Sequence, residues 1–116
     1  MKKFMAVFTG TPEHNAAWDA LDENTRNERA AAGMKAWHQW HVTHAAAIVE
    51  HGGPLGKTKK ATKAGIADIR NNLGGFTIVQ AESHEDAARL FLNHPHFTLF
   101  PGDGVEIMEI MPIPGM

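Results

Sequence analysis

The sequence predicts an α+β fold, because strand-like and helix-like segments alternate in the order β, α, β, β, α, β. Residues 3–9, 76–81 and 105–113 are rich in Val, Ile, Phe and Met, and Ala- and Glu-rich segments precede or follow them. The 116 residues, 43% of them hydrophobic, suffice for one core, so we expect a single domain over residues 1–116. A right-handed connection of these elements gives a ferredoxin-like split β-α-β sheet with both helices on one face.

The first strand and the first helix are predicted by local pattern. Residues 3–9 place apolar side chains on both faces of a strand. Thr11-Pro12-Glu13 then supplies an N-cap, a proline at the first helical position and an acidic residue in the first turn. A short helix that carries Trp18 is therefore expected.

A long second helix is predicted from Asp22-Glu23-Asn24 to Glu50 or His51. The segment is rich in Ala, Glu, Arg and Met, and Gly52-Gly53-Pro54 is a typical signal for a helix end.

The second half of the chain contains three further strand candidates. Leu55–Thr62 has many lysines, which is typical of an edge strand, and Ile66–Arg70 is a weaker extended segment. Leu73-Gly74-Gly75 is expected to end that segment, and Phe76–Ala81 has the composition of a central strand.

The last helix and strand complete the pattern. Ser83, followed three residues later by Asp86, predicts the N-terminus of a helix that ends before Pro95. Asp103-Gly104 predicts a turn into a last strand over Val105–Ile113.

The predicted strands are apolar on both faces, which helices on one side do not cover. The residues concerned are Met5, Val7, Val79, Met108 and Ile110. A monomer seldom exposes that much apolar sheet. We therefore expect a homodimer in which two sheets pack face to face.

Composition excludes several classes of function. The net charge of −2 gives no general attraction to nucleic acid or to an anionic membrane, so neither is an expected partner. The absence of cysteine excludes disulfides, Cys-ligated metals and thiol nucleophiles. The apolar run at the start stops at Thr9, too early for a signal peptide, and a cytoplasmic location is expected.

Short segments along nearly the whole chain share one family pattern: Gly53-Pro54-Leu55, Leu73–Ile78, Ala81–Ala87, His94-Pro95, Val105-Glu106-Ile107 and Pro112-Ile113. In these segments the chain resembles the YCII-related (DGPF-domain) family of small dimeric α/β-barrel proteins. Lys63-Ala64-Gly65-Ile66 replaces the signature Asp-Gly-Pro-Phe. Asp68 and Arg70 stand where family members with the Asp-Gly-Pro-Phe signature usually have an acidic residue and a lysine. The resemblance implies a dimeric α/β barrel and elimination-type acid–base reactions on small molecules, with a histidine of the long helix and an acidic partner.

Histidines are the most informative candidate residues. There are eight, of which His38, His41, His44 and His51 fall on the predicted long helix. At 100° per residue, His41 and His44 lie within about 40° of Trp37 and Ile48, in the apolar stripe of the helix. Imidazole is the side chain best suited to moving protons near neutral pH.

We therefore predict a small-molecule site with His38 or His41 as the base and Asp68 or a glutamate as the orienting acid. Trp37, Trp40, His44 and Arg70 are the predicted substrate-binding residues, and the ligand is expected to be a small aromatic or carboxylated metabolite. The alternative is that these histidines fill the core and hydrogen-bond to the backbone.

Other functions use the same residues. A non-catalytic metabolite-binding module is the main alternative to a lyase or isomerase, and a haem- or oxygen-using monooxygenase is a third. A metal on His41 and His44, completed by Glu106, Glu109, His94 or Asp68, lacks any specific motif, so we expect no metal and no cofactor. The lysines of residues 57–63 fit a solvated edge better than a substrate-attracting patch.

Overall fold

The computed structural model describes residues 1–116, which form six strands and four helices. In chain order these are β1 Lys2–Thr9, α1 Pro12–Asp19, α2 Glu23–Thr43, β2 Ile48–Pro54, β3 Thr58–Thr62, β4 Gly65–Ile69, β5 Leu73–Ala81, α3 His84–Arg89, α4 Pro95–Thr98 and β6 Gly104–Glu109. Four strands form an antiparallel sheet in the order β2-β5-β1-β6, and β3 and β4 form a separate hairpin. This is the strand order of a split β-α-β sheet, and it confirms the α+β class.

The helices cover one face of the sheet. On β1 the residues on this face are Phe4, Ala6 and Phe8, which are buried together with Val79 and Ala81 of β5. Trp40 of α2, Ala87 of α3 and Phe91 complete this core from the helical side. None of the helices combines the length and apolarity needed to cross a membrane.

The predicted helix starts are confirmed. The Thr11 hydroxyl accepts a hydrogen bond from the His14 N–H (3.1 Å) at the start of α1, and Trp18 lies on that helix. The Ser83 hydroxyl accepts one from the Asp86 N–H (3.1 Å) at the start of α3. These caps depend on side chains three residues apart, which the sequence displays directly.

The predicted end of the long helix is wrong. Helix α2 ends at Thr43 with His44 as its C-cap, and residues 48–54 form β2. The reason is tertiary, because β2 pairs with β5, with Ile48 opposite Val79 and Gly53 opposite Phe76. These pairings outweigh the helical preference of the alanines that precede β2, and His51 lies on a strand.

The predicted break at Leu73-Gly74-Gly75 is also wrong, because all three residues belong to β5. Gly75 pairs with Phe8 of β1, and a Cβ at Gly75 would lie only 3.0 Å from the Gly53 carbonyl oxygen. Glycine here permits a close approach of two strands. The last strand is shorter than predicted and ends at Glu109.

The second face of the sheet, here called the open face, has no helix over it. It carries Met5 and Val7 of β1, the paired Phe76 and Ile78 of β5, and Met108 of β6. Met108 and the following Ile110 are exposed by more than 40%. Val79 was predicted for this face, but its pairing with Phe4 places it in the helix-covered core.

Residues 55–72, here called the arm, project from the sheet as the β3–β4 hairpin. Thr58 is half-buried, and the other residues of the arm are exposed. The predicted edge strand 55–62 therefore pairs with β4 alone and not with the main sheet.

Candidate active site

A cavity of about 420 Å³ lies between α2 and the β2–β5 side of the sheet. Its apolar side chains are Phe8, Met34, Trp37 and Phe100, and its polar side chains are His41, His51, Thr77 and His96. Backbone of Gly52–Pro54 and Gly74-Gly75 completes the wall. The volume is in the range of small-molecule sites, and the aromatic side chains suit a planar ring.

His41 and His51 face each other in the cavity wall. Their ring centroids are 4.7 Å apart and the rings are inclined by 61°. The His41 Nε2 atom is buried and has no hydrogen-bond partner. Burial lowers the pKa of His41, and the neighbouring His51 and His38 lower it further, so His41 is neutral at pH 7.

The backbone of β2 fixes the position of His51. The buried Thr77 hydroxyl donates a hydrogen bond to the His51 carbonyl (3.0 Å). The next residue, Gly52, has φ +65°, and a Cβ there would overlap the Phe76 carbonyl oxygen. Only glycine fits this irregular step of the strand, which brings His51 to the cavity.

His96 closes another side of the cavity. Its Nε2 lies 2.7 Å from the Thr9 carbonyl oxygen, which can only accept a hydrogen bond, so Nε2 carries the proton. The Nδ1 lone pair of the neutral ring is therefore free. Burial lowers the pKa of His96, and the Thr9 carbonyl and Asp103 oppose this shift.

Behind the cavity, His94 lies at the centre of what we call the ring cluster, formed by Phe8, Trp37, Trp40 and Phe91. His94 is 0% exposed, and its ring centroid lies 4.6 Å from that of Trp37 and 4.9 Å from that of Trp40. Its Nδ1 accepts a hydrogen bond from the His96 N–H (3.0 Å) and caps α4, whereas Nε2 has no partner. Burial lowers the pKa of His94 to about 3, and the nearby His96, His41 and His44 contribute.

The structure brings only part of the predicted site together. His41 and Trp37 line the cavity, but His38 is exposed and does not. Trp40 is buried in the core, where its Nε1–H donates a hydrogen bond to the Leu90 carbonyl (2.9 Å). His44 caps the end of α2 and packs on the Trp40 ring.

Asp68 and Arg70 lie on the arm and do not line the cavity. The Asp68 carboxylate pairs with the Lys59 ammonium (2.7 Å) on the neighbouring strand. Both predicted residues are exposed because β4 pairs only with β3 and is not part of the main sheet. No group of three or more His, Asp or Glu side chains is placed to hold a metal ion.

The sequence did not indicate that His51 and His96 line the same cavity as His41. The sequence assigned His51 to the long helix, whereas it lies on β2, and His96 lies on the four-residue helix α4, which the sequence did not predict. The His51-Gly52-Gly53 sequence was the available signal, because paired glycines also mark an irregular strand next to a binding site.

No family model matches the chain, and no curated protein matches it. Among solved structures it is similar to 5-chloro-2-hydroxyhydroquinone dehydrochlorinase (TftG) from Burkholderia phenoliruptrix AC1100, in a complex with 2,5-dihydroxybenzoquinone. The TM-score is 0.55 at 17% sequence identity, over 94% of this chain and 93% of that chain. The similarity is one of fold, and it supports the YCII-like architecture that the short segments indicate.

Proposed function

We propose that the cavity binds a small planar aromatic or quinoid metabolite and that His41 moves a proton in a lyase- or isomerase-type reaction. The observation that carries this proposal is the pairing of His41 with His51 in an aromatic wall. A neutral imidazole without a hydrogen-bond partner is costly to bury unless a ligand or a proton uses it.

The chemistry follows from the neutral state of His41. As general base, the imidazole takes a proton from a hydroxyl or a carbon of the bound ring. In an elimination, the electron pair left on that atom forms a new double bond while a leaving group departs with its own pair. His51 lies beside His41, at the place where the sequence had put an orienting acid, Asp68 or a glutamate.

The similar solved structure supports the choice of ligand class. That protein is a dehydrochlorinase, and its complex holds a dihydroxybenzoquinone, a flat six-membered ring with oxygen substituents. The cavity described here is lined by aromatic rings and histidines, which suit both the ring face and the oxygen atoms.

A non-catalytic metabolite-binding module is the second candidate. The observation that favours it is that no carboxylate lines the cavity, so no acidic group orients His41 or stabilises its protonated form.

Binding is tested by titrating the protein with 2,5-dihydroxybenzoquinone in a calorimeter. We expect the His41→Gln variant to bind at least about tenfold more weakly, because a buried polar contact is lost. The matched control is His38→Gln, one turn away on the exposed side of α2, which should bind as the wild type does. Equal binding by wild type and His41→Gln would contradict the proposed site.

Catalysis is then tested with 5-chloro-2-hydroxyhydroquinone by measuring chloride release. Release by the wild type and by His38→Gln, but not by His41→Gln, supports the enzyme. Binding of the quinone without release of chloride from the hydroquinone favours the binding module.

We also propose that the protein is a homodimer whose open faces pack together. The radius of gyration is 16.1 Å, whereas a compact domain of this length has about 13 Å. Only 14 of 116 residues are buried, and the open face is apolar. A single chain thus leaves much of its apolar surface in water, and a second copy covers it.

A further inference from the structure

The hairpin of the arm pairs with no other strand of its own chain. Strands β3 and β4 have five residues each and pair only with each other. A lone two-stranded hairpin is marginally stable in water, and Ile66 near the tip of the arm is 76% exposed. The Leu55 N–H donates a hydrogen bond to the Gly74 carbonyl (3.0 Å), which closes the base of the arm and directs it away from the sheet.

Charge is strongly segregated between the arm and the rest of the chain. The arm carries five basic side chains and one acidic side chain, a net charge of +4. The remaining residues carry six basic and twelve acidic side chains, a net charge of −6. The only ion pair of the arm joins Lys59 to Asp68, so Lys57, Lys60, Lys63 and Arg70 have no carboxylate partner.

The open face offers the complementary surface. Glu106 of β6 lies opposite Val7, and Glu50 of β2 lies opposite Ile78, so both carboxylates border its apolar centre. Neither glutamate has an ion-pair partner.

We propose that the arm of each copy docks beside the open face of a second copy, with its lysines near Glu50 and Glu106. The inference rests on the homodimer proposed above and adds the element that holds it together. In this arrangement Ile66 and Ile69 are removed from water, and unpaired charges of opposite sign meet. The arm has no aromatic residue to stack on bases, and the acidic remainder of the chain repels phosphate, so nucleic acid fits this surface less well.

The first test shortens the arm. Replacing Thr58–Ile69 by Asn-Gly joins Lys57 to Arg70 through a two-residue hairpin turn and leaves every strand of the main sheet in place. Circular dichroism and urea unfolding establish that the variant folds. Sedimentation equilibrium is expected to show a dimer for the wild type and a dimer dissociation constant raised by about a hundredfold for the shortened chain.

The second test reverses charges. Lys60→Glu with Lys63→Glu is expected to raise the dimer dissociation constant about tenfold at low salt, and less at high salt. The matched control makes the same charge change on the helical side, with Arg29→Glu and Lys35→Glu. This control should leave the dimer dissociation constant unchanged. The double variant Glu50→Lys with Glu106→Lys should also associate with itself more weakly than the wild type does. Mixing this variant with the Lys60/Lys63 variant should restore association.

Three results overturn the inference. A shortened chain that dimerises like the wild type removes the arm from the interface, and if it also loses 2,5-dihydroxybenzoquinone binding, the arm covers the cavity instead. Charge reversal in the arm with no more effect than the control removes the electrostatic argument. A wild type that stays monomeric overturns both the proposed dimer and the proposed docking of the arm. The titration with 2,5-dihydroxybenzoquinone still tests, independently, whether the cavity binds a ligand.

Discussion

Two neighbouring regions of this protein use the same residue types for opposite purposes. In the ring cluster, His94 is fully enclosed by aromatic side chains and its Nδ1 is used to cap α4. In the cavity wall, His41 is only half-buried and its ring packs edge-on against that of a second histidine, His51. Both rings have a buried Nε2 atom without a partner.

The difference shows that burial and aromatic neighbours do not by themselves mark a functional histidine. His94 has the more strongly lowered pKa, yet no ligand can reach it. What distinguishes His41 is its place in the wall of a cavity. We therefore expect His94 to stabilise the fold and His41 to act on the ligand, as in the proposed function. Three predictions test this difference between the two histidines.

The largest expected effect is on stability, from His94→Ala. Removing a fully buried ring leaves a hole in the ring cluster and deletes the cap of α4, so the free energy of unfolding should fall by about 3 kcal/mol. The control His38→Ala should change it by less than about 0.5 kcal/mol. Urea unfolding measures both, and equal stability of the two variants would mean that the ring cluster is not the core of the fold.

Gly52→Ala should damage the cavity and the fold together. The positive φ of Gly52 costs an alanine about 1–2 kcal/mol, and the overlap with the Phe76 carbonyl adds to this. Because His51 must then move, binding of 2,5-dihydroxybenzoquinone should weaken as well. Gly53→Ala is the matched control, since a Cβ there meets nothing within 4 Å. If both variants behave alike, the step in β2 does not position His51.

The smallest effect, taken over one pH unit, is the dependence of stability on pH. The pKa of His94 is about 3 in the folded chain and 6.5 in the unfolded chain, so the unfolded chain binds one more proton between these values. The stabilisation is fully present above pH 6.5 and is lost as the pH falls towards 3, at about 1.4 kcal/mol per pH unit. The lowered pKa values of His41 and His96 act in the same direction.

Urea unfolding at a series of pH values measures this slope, and NMR of the His94 ring protons checks its origin. These resonances should not titrate between pH 8 and 5. A titration midpoint near 6.5 would mean that water reaches His94 and would remove the contrast with His41.

The sequence predicted the parts of this fold that depend on residues close together in the chain. The caps at Thr11 and Ser83 and the central strand up to Ala81 involve side chains a few residues apart. The end of α2 was missed because residues 48–54 become a strand only by pairing with β5, some thirty positions later.

The same contrast between local and distant contacts applies to the residues of the site. The sequence places Trp37 and His41 about one turn apart on a helix, whose geometry is regular, and both line the cavity. The position of His51 depends on an irregular step in β2, and that of His96 on the short helix α4, from which its ring reaches the Thr9 carbonyl. Asp68 and Arg70 lie outside the cavity because residues 65–69 pair with β3 in a separate hairpin, and nothing in their sequence shows this.

Trp37 forms one wall of the cavity and also packs against His94 and Phe8 of the ring cluster. A mutation that reshapes this wall to admit a different ligand therefore also disturbs the packing on which folding depends. Gly53 and Pro54, which also line the cavity, pair with β5 through their backbone but place no side chain in the core. New ligand preferences can evolve there at low risk to the fold, whereas the tryptophan side is constrained to change little.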